Sequence, residues 1–318
     1  MVVRAYWKLA AERQRIYFQR LEDRPPPWTS DPVLSAYKFC NAYRASDRVS
    51  QYLIREVIYR DGDYSAEDQI LRIVLFRLFS KPATWELLEE ACGDIRCSTF
   101  DVERYGHVLD RAFGAGERLY TGAFILCANR TFGHDRKHRN HLALIDLMLK
   151  PNGLAAEVAR ATSLGDIFAS LSAYPLVGPF MAYQLAIDIN YGELCDFSEN
   201  EDPVAGPGAR RGIAKCFSDT AGWDDRRIIE WMTAQQSEEF DRLGVEFPSL
   251  WGRPLMAIDI QNLFCELDKY ARVAFPELRS ERSRIKSRFA PTGPLPPPYF
   301  PPKWELSQPT QIAARRGA

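Results

Sequence analysis

Apolar residues recur at intervals of three and four along most of the chain, which is the spacing of one face of an α-helix. The two-residue alternation of apolar and polar positions that would predict β-strands is not evident. The pattern therefore predicts an all-α protein. The predicted helical segments are 4–21, 33–59, 65–79, 85–92, 101–113, 142–149, 153–171, 180–191, 224–235, 237–243 and 256–275.

A short turn separates two of these helices within residues 171–182. Pro175 presets one backbone φ and Gly178 permits a positive φ, so we predict a tight turn after which Pro179 opens a new helix. The unpaired N–H groups and the dipole at such a helix N-terminus favour a phosphate oxygen. We therefore predict that Val177, Gly178 and Pro179 contact a DNA backbone.

Acidic side chains follow the second helix of this predicted hairpin. Asp196, Glu199 and Asp202 lie in a polar stretch, and a carboxylate there can stabilise a cationic sugar. We predict these three as catalytic candidates, and their spacing leaves open which one is primary. The chain continues into residues that we predict to hold DNA phosphates, namely Gly206, Gly208, Arg210 and Arg211.

This order of features resembles that of the hairpin DNA glycosylases. Those proteins have an L-P-G-V-G type hairpin, an apolar helix and an aspartate roughly twenty residues past the hairpin glycine that supports glycosidic bond cleavage. Glu199 and Asp202 fall nearest that offset. Leu176 stands where the family usually has glycine, and the lysine that some members place just after the hairpin is absent. The absence of that lysine argues against a lyase step through a Schiff base.

The charges of the 318-residue chain nearly balance, with 41 lysines and arginines against 42 aspartates and glutamates. A general polycation is excluded, so contact with nucleic acid requires local basic patches. Such patches occur at 72–81, 130–139, 210–211 and 279–288, although each is also compatible with a solvated helix face. We include Lys81 of the first patch among the DNA-binding candidates.

The seven cysteines form no C-x-x-C pair, which argues against an iron–sulfur cluster and favours buried reduced thiols. His134, His138 and His141 have helical spacing, but no carboxylate or cysteine completes a familiar metal set. We predict no metal and no cofactor. The chain shows no apolar run that could span a bilayer and no signal peptide, so we expect a cytoplasmic protein without a membrane partner.

Polar residues interrupt the apolar pattern early in the chain and again near its end. Asn41, Arg44 and Asp47 are spaced three apart, so on a helix they share a face. We predict that they recognise a base or its substituent, while a surface ion pair beside a core stripe remains an equal alternative. Near the other end, Glu266 and Lys269 lie on one polar stripe.

Several segments together resemble a known family. They are 41–44 with 47–50, 76–85, 178–180 with 182–184, Asp188, 206–212, and 265–266 with 269–270. Their order is similar to that in the alpha-glutamyl/putrescinyl thymine pyrophosphorylase group, which includes the helical domain of phage 5-hydroxymethyluracil DNA kinases. The resemblance covers about residues 1 to 290 and implies a helix-hairpin-helix DNA glycosylase-like fold. It also adds Asp188 to the predicted base pocket.

The substrates that the resemblance implies are hypermodified pyrimidines in phage DNA. Members either replace a group on an activated 5-hydroxymethyl pyrimidine or, in anti-phage defence, excise a bulky modified base. The sequence has no G-x-x-x-x-G-K-[ST] phosphate loop, which argues against phosphorylation of DNA by that route. Our first hypothesis is a monofunctional DNA glycosylase that flips a bulky base, such as glucosylated hydroxymethylcytosine, out of double-stranded DNA and leaves an abasic site.

In this hypothesis Asp202 or Glu199 stabilises the oxocarbenium-like sugar and orients water. The alternative is a transferase that replaces the phosphorylated group of 5-hydroxymethyluracil with an amine or amino acid, with Arg210 and Arg211 holding the leaving phosphate. A third hypothesis is a DNA-binding scaffold without catalysis. Residues 1–290 are predicted to form one intertwined helical domain, followed by a proline-rich tail at 291–318.

Overall fold

The computed structural model describes residues 2–121, 130–278, 285, 287–290 and 293–307. Helices, turns and loops make up this part of the chain, and its only β pairings are two isolated bridges, Tyr37 with Arg288 and Leu250 with Arg253. The all-α prediction is confirmed. The predicted segments at 122–129 and 279–284 lie outside the described residues.

The α-helices are numbered in chain order. They are α1 Val2–Leu21, α2 Pro32–Ala36, α3 Arg48–Tyr52, α4 Ala66–Phe79, α5 Pro82–Cys92, α6 Val102–Gly114, α7 Lys137–Met148, α8 Leu154–Arg160, α9 Leu164–Ala173, α10 Pro179–Asn190, α11 Pro207–Cys216, α12 Asp225–Ala234, α13 Gln236–Leu243 and α14 Ala257–Ala274. A π-helical segment Leu53–Ile58 follows α3, and short 3₁₀ turns lie at Arg44–Ser46 and Pro302–Trp304.

The chain forms two compact units. The first combines Met1–Asp47 with Asn200–Ala318, and the second is Arg48–Glu199. The single intertwined domain that we expected over 1–290 remains a prediction.

Helix α14 lies at the centre of the first unit, where α1, α2, α11 and α12 pack against it. Two glycines allow α11 to come very close. A Cβ added at Gly212 would stand 2.1 Å from the carbonyl oxygen of Phe264, and one at Gly208 would stand 2.9 Å from Sγ of Cys265. Because Gly208 and Gly212 are four positions apart, they share one face of α11 and let its backbone rest on α14.

In the second unit, α9 and α10 pack against each other across a short turn, as the hairpin pattern predicts. Pro179 is the first residue of α10, which confirms its predicted place. The predicted use of Gly178 is wrong, because Gly178 has φ −75° and Leu176 takes the positive φ of 70°. Leu176 therefore adopts the left-handed conformation that glycine adopts without strain.

Some predicted helix ends also differ from the structure. Helix α4 begins close to its predicted start, where Ser65 forms a capping box with Asp68. The helix predicted from residue 85 begins earlier, at Pro82, whose missing N–H has no cost in the first turn. The predicted segment 33–59 is not continuously helical, because residues 37–43 are non-helical and Lys38 N–H donates to the carbonyl of Ser287.

Candidate functional site

A loop in the first unit, residues 39–47 (the site loop), connects the short helix α2 to α3. Its fold depends on the Asn41 side chain and backbone. Asn41 N–H donates to Asp47 Oδ1 at 2.9 Å, and Asn41 Nδ2 donates to the Ser46 carbonyl at 2.9 Å. These short-range bonds replace helical ones, as asparagine and aspartate favour in turns. They place the Asp47 carboxyl over the start of the loop.

Helix α1 supplies a buried arginine to this loop. Arg13 Nε donates to the Cys40 carbonyl at 2.9 Å, and Arg13 Nη2 donates to Asn41 Oδ1 at 3.0 Å. Burial lowers the pKa of Arg13, and the nearby carboxylate of Glu266 opposes that shift. Because a guanidinium stays protonated in proteins, Arg13 brings a positive charge to the loop.

Helix α14 supplies the remaining charges. Glu266 Oε2 accepts hydrogen bonds from the Cys40 N–H at 2.9 Å and from Lys269 Nζ at 2.6 Å. Burial alone would lower the pKa of Lys269, but Glu266 and neighbouring acidic groups raise it, so the ammonium form persists. We call the resulting group the polar cluster. Its members are Arg13, Cys40, Asn41, Asp47, Glu266 and Lys269.

Asp47 is the half-buried carboxyl of the polar cluster. Burial, together with the charge of Glu266, raises the pKa of Asp47 to about 6 despite the lowering effects of the Asn41 N–H and Arg13. A carboxyl with this pKa is largely ionised at neutral pH and takes up a proton just below it. It is therefore suited to general acid–base chemistry.

Two further groups lie beside Asp47. Burial of the Cys40 thiol among these groups, together with the charge of Asp47, raises the pKa of the thiol, so it is neutral. The Tyr17 side chain is buried, and among the described residues its hydroxyl has no hydrogen-bond partner. Burial raises the pKa of Tyr17 and the Asp47 charge adds to this effect. The phenol is thus an available donor near the carboxyl.

Comparison with known proteins identifies the family. The family model described as the 5-hmdU DNA kinase helical domain matches residues 1–280. The chain belongs to this family. It is 28% identical over 284 residues to the 5-hmdU DNA kinase of Bacillus phage SP10, which covers 83% of this chain and 44% of that protein. The chain thus spans less than half the length of this relative. No solved structure matches.

All six residues of the polar cluster lie inside the part that matches the family model. The prediction that Asn41, Arg44 and Asp47 share one helix face is wrong, because this segment is a loop, but Asn41 and Asp47 are in direct contact. The Asn41 side chain accepts from Arg13 Nη2 and donates to the Ser46 carbonyl, and with the side chain held in this way the Asn41 backbone N–H positions Asp47. Arg44 is buried, and its backbone N–H donates to Asp259 Oδ1 at 2.7 Å. The reading of a base by these side chains remains a prediction.

The three predicted catalytic carboxylates fall in different surroundings. Asp202 belongs to the first unit, where it is half-buried and its Oδ1 lies 2.6 Å from Nη2 of Arg226. Glu199 is buried and Asp196 is exposed, and both belong to the second unit. The catalytic roles of all three remain predictions.

The predicted pocket residue Asp188 lies inside the second unit. Neither Asp188 nor Arg77 exposes its side chain, and Arg77 donates to both carboxylate oxygens. This pair joins α4 to α10. A role for Asp188 in base recognition remains a prediction.

The predicted DNA-binding residues of α11 take part in local contacts. Gly206 caps the N-terminus of α11, and Gly208 packs on α14. Arg210 is exposed, with Nε 3.2 Å from Oδ2 of Asp225, and Arg211 Nε lies 3.1 Å from Oδ2 of Asp268. Phosphate contacts by these four residues remain predictions.

The other candidates lie in the second unit. Val177 is buried in the hairpin turn, while Gly178 caps α10 and leaves open space where a Cβ would stand. Lys81 Nζ donates to the carbonyl of Arg118. The backbone geometry at the N-terminus of α10 is compatible with an anion, although nothing tests that contact.

The histidine segment forms ordinary side-chain pairs. His138 Nε2 lies 2.7 Å from Asp110 Oδ1, and His141 Nδ1 lies 3.1 Å from the Tyr120 hydroxyl. Among the residues that the structure describes, no three histidine, cysteine or acidic side chains are grouped as a metal site would require. Nor is any described helix long and apolar enough to cross a bilayer.

Sequence reasoning missed Arg13 as a member of the polar cluster. The segment 4–21 was predicted only as a helix, whereas Arg13 is buried beside Gln14 on the face that packs into the unit. One signal in the sequence was available: the helical period places Arg13, a charged residue, on the face that faces the core. It indicates a buried partner of opposite charge or a set of carbonyl acceptors.

Proposed function

We propose that this chain acts on DNA carrying a 5-substituted pyrimidine, and that it is a glycosylase which excises that base and leaves an abasic site. The phage relative is a 5-hmdU DNA kinase, a name that refers to a modified pyrimidine in DNA. Because the chain spans less than half of that relative, the reaction has to be argued from its own residues. The observation that carries the proposal is the half-buried Asp47 carboxyl, whose pKa is about 6, among cationic side chains.

The geometry suits cleavage of an N-glycosidic bond. As the bond from C1′ to the base breaks, its electron pair leaves with the base and positive charge develops on the sugar. The ionised Asp47 stabilises that charge, and water then adds to C1′ while its proton passes to Asp47. The positive charges of Arg13 and Lys269 offset the negative charge on the departing base.

The base must first leave the helical stack, which costs a few kcal/mol for an intact pair. A bulky modified pyrimidine offers additional polar groups that can offset this cost through contacts in the pocket. A glucosylated hydroxymethylcytosine is the example that we propose. The backbone N–H groups at the start of α10, near Val177 and Gly178, are proposed to bind phosphate during this step.

A second candidate is the transferase. The positive charges of Arg13 and Lys269 beside Asp47 also suit the departure of a phosphate from a phosphorylated 5-hydroxymethyl group. Asp47 would then accept the proton of an attacking amine. The two reactions leave different DNA. The glycosylase produces alkali-labile abasic sites and free base, whereas the transferase produces an intact strand with a heavier base.

The test is incubation of the purified chain with DNA containing glucosylated or phosphorylated 5-hydroxymethyl pyrimidines, beside unmodified DNA. Alkali cleavage and mass spectrometry report the products. We expect free modified base and abasic DNA from the modified sample alone. Intact strands with a heavier base would support the transferase, and unchanged DNA in all samples would overturn both enzymatic proposals.

Matched variants identify the carboxylate. We expect Asp47→Asn to abolish base release while DNA binding persists, and Asp202→Asn to retain most activity because Arg226 already occupies that carboxylate. If Asp202→Asn abolished base release and Asp47→Asn did not, the catalytic carboxylate would lie in the acidic stretch at Asp202. Glu199 and Asp196 would then be the next residues to substitute.

A further inference from the structure

The first unit includes a segment that lies beyond the family match. The family model ends at residue 280, whereas the structure describes residues 287–290 and 293–307 of the same unit. We call residues 287–289 and 300–304 the brace. They pair with residues 36–38, just before the site loop, and reach Tyr43 within the loop through Arg253.

The first attachment is made by the backbone. Lys38 N–H donates to the Ser287 carbonyl at 3.0 Å, and Phe289 N–H donates to the Ala36 carbonyl at 3.1 Å. Between these bonds, Arg288 forms an antiparallel bridge with Tyr37, and its guanidinium lies 5.1 Å from the centre of the Tyr37 ring. Residues 36–38 lead directly into the site loop, so this pairing fixes where the loop begins.

Phe289 adds a side-chain contact to the same attachment. Its ring lies 6.1 Å from that of Trp28 in an edge-on arrangement. Aromatic pairs of this kind contribute beyond their buried area. The brace is therefore held on both sides of the short helix α2, which precedes the site loop.

The second attachment passes through Arg253. The Arg253 guanidinium lies 3.7 Å from the Trp304 ring, and the Arg253 carbonyl accepts a hydrogen bond from the Tyr43 hydroxyl at 2.5 Å. Tyr43 is buried in the middle of the site loop, between Asn41 and Asp47. Trp304 therefore contacts Arg253, the residue whose carbonyl holds the Tyr43 hydroxyl.

Trp304 is itself well anchored. Its ring stacks on Phe300 with 6.0 Å between ring centres, and Phe300 is buried against Trp251. Stacked aromatic rings lose little conformational freedom when they hold a neighbour in place. Trp304 therefore provides a firm surface for Arg253.

We propose that the brace fixes the geometry of the site loop, and that Phe289 and Trp304 are positioning residues for the reaction at Asp47. Ordering a loop costs conformational entropy at every residue, and attachment at its start and middle supplies that ordering before substrate binds. The activity part of this inference rests on the proposed function. The structural part, that the brace orders residues 39–47, does not.

The experiment uses full-length Trp304→Ala and Phe289→Ala proteins. Trp223→Ala is the control, because Trp223 is a half-buried ring of the same unit that contacts Trp231 and Arg227. Hydrogen exchange followed by mass spectrometry measures the amides of residues 39–47. We expect exchange on the order of tenfold faster in both brace variants and unchanged exchange in the control.

Activity gives an independent readout. A looser loop admits water to Asp47, so the pKa of Asp47 falls from about 6 towards its ordinary value. The acidic limb of the kcat–pH profile should therefore move to lower pH in the brace variants, with kcat reduced and KM nearly unchanged. A purely structural role would lower stability without moving that limb.

The outcomes are distinct. Exchange at the wild-type rate in both brace variants would overturn the inference, and faster exchange with an unaltered kcat–pH profile would overturn the positioning role. A wild-type protein inactive on every DNA would defeat the proposed function, while exchange would still decide whether the brace orders the loop. Should Trp304→Ala unfold, Trp304→Leu removes only the ring beneath Arg253, and Trp304→Phe should restore wild-type behaviour.

Discussion

Arg77 and Asp188 form a two-point ion pair in the interior of the second unit. Arg77 Nη2 donates to Asp188 Oδ1 at 2.8 Å, while Arg77 Nε donates to the other oxygen. Neither side chain is exposed. A buried charge that loses its partner is costly, so each residue depends on the other.

We expect Asp188→Asn to lower the free energy of unfolding by about 3–5 kcal/mol, because it removes a buried carboxylate charge that Arg77 contacts at two points. Urea unfolding measures the change. Asp146→Asn is the control, since Asp146 and Lys150 form a surface pair whose loss costs under about 1 kcal/mol. An Asp188→Asn protein with wild-type stability and altered base selectivity would instead support the predicted pocket role.

Gly212→Ala tests the close approach of α11 and α14. The new Cβ would stand 2.1 Å from a backbone oxygen, so the helices must separate, at a cost of about 1–3 kcal/mol. Gly114→Ala is the matched control, because no atom lies within 4 Å of a Cβ there and alanine favours a helix. Thermal unfolding should show a loss for the first variant and none for the second.

Leu176 tests the hairpin turn. Its positive φ costs a non-glycine residue roughly 1–2 kcal/mol, and branching at Cβ increases that strain. We expect Leu176→Ile to destabilise the protein and Leu176→Gly to be neutral or stabilising. Equal destabilisation by both changes, measured by thermal unfolding, would show that contacts of the half-buried leucine side chain outweigh the strain.

Asp47 makes stability depend on pH in a defined direction. Its pKa is raised from 3.8 to about 6 on folding, so its contribution to stability is fully present below pH 4 and is lost as pH rises through 6. Asp47→Asn cannot ionise. We expect it to exceed wild type by about 1–3 kcal/mol at pH 8 and by little at pH 4. Denaturant unfolding at both values checks this, and a constant difference between them would contradict the raised pKa.

The helical periodicity was enough to predict the all-α class and the hairpin of α9 and α10. It did not predict which hairpin residue takes the positive φ, because that depends on how the two helices meet. Residues 37–43 were predicted as helix since their apolar spacing fits one. Pairing with residues near 288 overrides this local preference, and a partner about 250 positions away leaves no periodic signal.

The polar cluster was only partly predictable for the same reason. Asn41 and Asp47 are close in sequence, so their spacing could be interpreted. The contact between Cys40 and Glu266 joins residues 226 positions apart. Local spacing carries no signal for such a contact, and only the family resemblance associated the two segments with each other. Arg13 was recognisable as a charge on a buried face, but its acceptors were not.

The first unit combines two stretches of chain that the second unit separates, and this arrangement sets an order of assembly during synthesis. Helix α1 is synthesised before the second unit, yet its neighbours α11, α13 and α14 begin only at Pro207 and beyond. The second unit ends at Glu199 and can fold while these helices are still being translated. The nascent chain therefore carries the apolar face of α1 without its partners while the whole second unit is made, and the Arg13 and Glu266 ends of the polar cluster come together only after α14 is complete.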